Sequence, residues 1–124
     1  MPDQKESGEK LAGRLYATLR VLKFIADPVR SPKPTVRDEF KDKDSPRQRI
    51  QALELDLFED LVTAVQKGRH AKAMAEVFGT LHAVVPLRHG ALQDNLGKPE
   101  LAEFNAGYRA QLGVLKEALP KLLD

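Results

Sequence analysis

Apolar residues recur along this chain at intervals of three and four, with polar and charged residues between them. That spacing puts one apolar stripe on each of several helices. The first runs through Leu11, Leu15, Leu19, Leu22 and Ala26 and predicts a helix from Gly8 to Ala26. Ser7 stands at its N-cap position, and Glu9 sits against the positive end of the helix dipole. Asp27-Pro28 ends it, because proline pushes the preceding residue out of the α region.

The second stripe has the clearest start. Ser45-Pro46-Arg47-Gln48 combines an N-cap serine, a proline at the first helical position and a glutamine at the capping-box position. Ile50, Leu53, Leu57, Leu61 and Ala64 form the main line, and Leu55, Phe58, Val62 and Val65 widen it. A helix apolar on so many sides is expected at the centre of a bundle, touching several neighbours. Lys67-Gly68 ends it with a glycine suited to a left-handed cap. The third helix is expected over residues 69–86, burying Ala71, Met74, Ala75, Phe78, Leu81, His82 and Val85. The fourth starts at Lys98-Pro99-Glu100 and carries Leu101, Phe104, Tyr108, Leu112, Leu115, Leu119 and Leu122, with Pro120 kinking or shortening its end.

No run of β-branched alternation is long enough for a strand. Amphipathic helices of this kind bury their stripes only against one another, so the expected fold is all-α: one four-helix bundle over residues 1–124, with a flexible N-terminus at 1–7. The expected core includes Leu15, Leu22, Leu53, Leu57, Leu61, Phe78, Leu81, Phe104, Tyr108, Leu112 and Leu115.

Between the first two helices lies a long Pro-rich and charged loop, 28–44, with Pro28, Pro32 and Pro34 followed by Asp38, Glu39, Lys41, Asp42, Lys43 and Asp44. Its large apolar side chains are Val29, Val36 and Phe40. These are few to offset an ordering cost of ~1–2 kcal/mol per residue. The loop is therefore expected to be mobile, or ordered through contacts with another chain.

Composition narrows the chemistry. The 124 residues include no cysteine, which removes disulfides, thiolate metal sites and cysteine nucleophiles. The histidines are His70, His82 and His89. No pair has the three- or four-residue separation of helical metal ligands, and His82 and His89 lie about 10 Å apart along a helix. No metal and no cofactor is expected. A histidine phosphotransfer module acting through His82 is a lesser reading, but His82-Ala83-Val84-Val85-Pro86 lacks the Lys and Gly that follow such a histidine. With no phosphate loop and no nucleophile elbow in the chain, an enzyme is not expected. Glu54, Asp56, Glu59 and Asp60 read as a solvated acidic face of the second helix.

Net charge is +2, from 20 basic and 18 acidic residues, but the charge is unevenly placed. Residues 24–49 carry seven basic and five acidic side chains, whereas residues 50–67 carry one basic and four acidic. The expected contact residues are Arg30, Lys33 and Arg37 in the loop, with Arg14, Arg20 and Lys23 on the first helix. The function read from these features is that of a small non-catalytic subunit, adaptor or regulator. It would bind a protein partner or a larger assembly, or copies of itself. The alternative is a nucleic-acid-associated subunit using the basic loop and first helix. The polar start of the chain lacks the apolar core of a signal peptide, and no apolar run spans a bilayer, so a cytoplasmic protein without membrane contact is expected.

Overall fold

A computed structural model describes residues 8–26, 33–35, 46–67, 71–80 and 97–123. These residues are helical apart from short connections and contain no strand. The helices are α1 (Gly8–Ala26), α2 (Pro46–Lys67), α3 (Ala71–Gly79) and α4 (Lys98–Ala118), followed by a single helical turn, α5 (Pro120–Leu123). The all-α, four-helix arrangement expected from the stripes is present, and the bounds of α1 and α2 fall where the proline and glycine signals put them. Ser45 and Gly68, which supplied two of those signals, lie outside the described residues.

The helix at the centre is α1, not α2. It packs along α4 and also against α2 and α3, whereas among the described residues α4 makes no substantial contact with α2 or α3. Residues all round α1 are buried: Ala12, Leu15, Tyr16, Ala17, Thr18, Leu19, Val21, Leu22, Ile25 and Ala26. Small side chains make this possible. A Cβ built on Gly13 would overlap the carbonyl oxygen of Phe104, and one built on Gly107 would overlap the carbonyl oxygen of Lys10. The α1 and α4 backbones therefore touch at this crossing, where only glycine fits. Around it, the Tyr16 ring lies 5.9 Å from that of Phe104 and 5.5 Å from that of Tyr108, both tilted.

The expected stripe of α4 is buried as read, at Leu101, Phe104, Tyr108, Leu112 and Leu115, joined by Gly107 and Gln111. Leu119 leaves the helix with φ −130° and ψ 59°, and Pro120 opens α5, which buries Leu123. The stripe of α2 is shallower. Ile50 is buried, while Leu53, Leu57 and Leu61 are half-buried against the core. Leu55, Phe58 and Val62 face outward, which removes α2 from the central place its composition suggested.

The expectation for the third helix is corrected in two respects. It ends at Gly79, because Thr80 closes the chain back with a three-residue step: its backbone N–H and its hydroxyl both donate to the Val77 carbonyl, at 3.0 and 2.7 Å. It is also rotated by one position from the predicted face. Met74 and Val77 are buried, and Phe78 is 44% exposed. Leu81, His82, Val85 and Pro86 lie outside the described residues.

Of the loop expected over residues 28–44, residues 33–35 are described and the rest lie outside the described residues. At residues 33–35 the chain is held from within: Pro34 is fully buried, and the Tyr108 hydroxyl donates to the Thr35 carbonyl at 2.6 Å. The apolar ring of Pro34 anchors this stretch, and Val29, Val36 and Phe40 lie outside the described residues.

Phe104→Ala is expected to lower stability by roughly 3–5 kcal/mol, and Phe78→Ala by less than about 1 kcal/mol. Gly107→Ala forces α1 from α4 and is expected to cost roughly 1–3 kcal/mol or more. Chemical denaturation of the three variants checks the order. Tyr108→Phe keeps the ring but leaves the Thr35 carbonyl without its donor. A loss of about 1 kcal/mol is expected, with faster proteolysis in the loop after α1.

Candidate functional site: the outer face of α2

The sequence marks Arg14, Arg20 and Lys23 of α1 as contact residues. All three turn to groups within the molecule. Arg14 Nη1 donates to Gln111 Oε1 on α4 at 3.0 Å. Arg20 Nη1 donates to the Tyr16 hydroxyl at 3.0 Å, and its guanidinium carbon lies 5.7 Å from the Tyr16 ring centroid. Lys23 Nζ lies 3.1 Å from Asp56 Oδ2 and 3.7 Å from Asp60 Oδ2 on α2. Each is half-buried. Of the loop residues, Lys33 is half-buried beside the Pro34 anchor, and Arg30 and Arg37 lie outside the described residues. The structure thus links Arg14, Arg20 and Lys23 each to a different internal partner set and does not gather them into one basic surface.

The Lys23 bridge holds α2 on α1, and the two sides of the bridge differ. Burial acts to lower the Lys23 pKa, but the hydrogen bond to Asp56 and the charges of Asp60 and Asp56 outweigh it, so the ammonium is held above its usual value. The Asp60 carboxyl is also pushed up. Its burial is the largest cause, and the Asp56 and Glu59 charges add to it against the pull of Lys23. Asp56 and Asp60 share one ammonium.

On its other side α2 presents Leu55, Phe58 and Val62 to solvent. Leu55 is 84% exposed and Phe58 77%. They stand at i, i+3 and i+7, so they form one line along the helix. Glu54 borders this line on one flank and Glu59 on the other. Asp56 and Asp60 lie further round, toward Lys23. Among the described residues, neither Glu54 nor Glu59 takes part in a salt bridge. The sequence had shown these apolar residues but merged them with the inner stripe. The signal that separates the two is the pair Glu54 and Glu59, since charged residues flank the outer line rather than fill the gap between α2 and α1.

No group of three or more His, Asp or Glu side chains that could hold a metal ion occurs among the described residues, and His70, His82 and His89 lie outside them. No described helix is long and apolar enough to cross a membrane. The chain matches no known family, no curated protein and no solved structure.

Asp60 gives a test of the bridge. Its raised folded pKa means that the fold prefers the protonated carboxyl, so ionisation costs stability as the pH rises above the unfolded value near 3.8. Asp60→Asn is therefore expected to equal or exceed the parent in stability at pH 7. Its advantage should shrink as the pH falls toward 3. Thermal melts across that range check the sign.

Proposed function

We propose that this protein is a non-catalytic subunit or adaptor that binds a protein partner through the outer face of α2. One observation carries the reading: Leu55, Phe58 and Val62 form an exposed apolar line on a helix whose opposite face is seated on the core. Single exposed apolar residues are ordinary on a protein surface, whereas a contiguous set rimmed by charge marks interaction sites. Leu55 and Phe58 give little to the fold in that position. Aromatic and aliphatic side chains presented this way supply the central anchors of protein interfaces.

The internal roles of Arg14, Arg20 and Lys23 support a protein partner over a nucleic acid. A phosphate-binding surface needs several cations free to displace counterions. Those three are already held by Gln111, Tyr16, Asp56 and Asp60. The absence of cysteine and of any phosphate-binding or nucleophile motif supports the non-catalytic part of the reading.

A photo-crosslinking residue placed at Phe58 in the native host is expected to trap a discrete protein adduct. The same residue at Val114, an exposed apolar position on α4, is expected to trap none. The adduct should disappear when Leu55→Ser is added, while the melting temperature of that variant stays within about 2 °C of the parent. Equal trapping at both positions, or an adduct indifferent to Leu55→Ser, overturns the proposal.

A further inference from the structure

We infer that the occupant of the α2 outer face is a basic amphipathic helix: one apolar stripe flanked by lysine or arginine. This rests on the reading of that face as a binding surface and adds the chemistry of what binds. The shape argument comes from spacing. Leu55, Phe58 and Val62 are separated by three and then four residues, the alternation of a coiled-coil seam. A straight line of this kind, about 10 Å long, is matched by the stripe of a second helix laid along it.

The charge argument comes from the flanks. With Leu55 and Phe58 as the two seam positions of a heptad, Glu54 precedes the seam and Glu59 follows it, in the positions that face the partner's own flanks. Between Arg49 and Lys67 the helix carries four acidic residues and no basic one. Asp56 and Asp60 are partly neutralised by Lys23. Glu54 and Glu59 have no salt bridge among the described residues. A helix docked on the seam brings its flanking side chains to these two carboxylates. Cations there are attracted, and anions are repelled.

The same geometry disfavours a second copy of this chain. Two parallel α2 helices would set Glu54 of one against Glu59 of the other, and two antiparallel ones would set like flank against like flank. Nucleic acid and anionic lipid are disfavoured for the same reason, since both would meet carboxylates around the apolar line.

The test uses the full chain and two synthetic helical peptides of about three heptads. Both have leucine at the seam positions. One has lysine at every flanking position, the other glutamate, so neither pairs with itself. By fluorescence anisotropy the lysine peptide is expected to bind roughly tenfold more tightly than the glutamate peptide, and the difference should shrink with added salt. Glu54→Lys combined with Glu59→Lys is expected to reverse the preference. Leu55→Ser combined with Phe58→Ser is expected to abolish binding of both peptides while leaving the helical circular-dichroism signal and melting curve unchanged. If both peptides bind equally and both are lost in the serine variant, the surface stands and the basic-helix inference falls. Binding that ignores the serine substitutions, or no binding of either peptide, overturns the surface as well. Dimerisation in sedimentation that is lost with Phe58→Ser makes a second copy the occupant and overturns the inference. Duplex DNA binding more tightly than the lysine peptide, and sensitive to the same substitutions, overturns it too.

Discussion

The contact between the α1 and α4 backbones at Gly13 and Gly107 sets the terms for the rest of the molecule. Neither helix can carry a side chain there, because the carbonyl oxygens of Phe104 and Lys10 occupy the space a Cβ would need. Close approach multiplies the contacts between neighbouring side chains, and dispersion gains fall off steeply with even a small gap. Tyr16 can then reach both Phe104 and Tyr108, and Arg14 can reach Gln111. Tyr108 spans both roles: its ring lies in the core, and its hydroxyl holds the chain at Thr35.

With α4 against one side of α1, the other side receives α2 and α3, and α1 is left with little surface of its own. This decides the fate of its cations. Side chains that a helical wheel places at the boundary of the apolar stripe become half-buried once two neighbours close over the helix. Each then needs a partner nearby, since a buried polar group without one costs stability. Arg14 takes an amide oxygen, Arg20 a tyrosine ring and hydroxyl, and Lys23 two carboxylates. Among the described residues every buried side-chain polar atom has a partner.

The sequence was most legible where one stripe met one neighbour. The α4 positions Leu101, Phe104, Tyr108, Leu112 and Leu115 are buried as their spacing predicts, and the proline and glycine signals place the ends of α1 and α2. It was least legible where a helix is apolar on more than one side. For α1 that meant real centrality, signalled by Gly13, Ala17 and Thr18 rather than by large residues. For α2 it meant an inner face and an outer one. Periodicity reports that apolar residues are present on a face, but not what covers that face, and length and content could not separate the two cases. The error at Phe78 has a similar origin. Over the nine residues of α3, stripes through residues 74 and 77 or through residues 74 and 78 fit the pattern equally well, and only the position of α1 selects the first.

The two faces of α2 also differ energetically. Among the described residues its inner face holds one buried side chain, Ile50, with Leu53, Leu57 and Leu61 half-covered and the Lys23 bridge exposed enough that screening weakens it. Its outer face leaves Leu55 and Phe58 in water, where their apolar surface contributes almost nothing to folding. Any partner that covers Leu55, Phe58 and Val62 adds its binding free energy to the folded state by mass action. Because the same helix bears the half-buried stripe, that gain reaches the core through Leu57 and Leu61. Exposure of an apolar line on the least anchored long helix is therefore a liability for the isolated chain and a coupling point in a complex. On the reading proposed above, the acidic rim limits that liability, since Glu54 and Glu59 would repel a second copy laid along the seam and attract a partner of opposite charge.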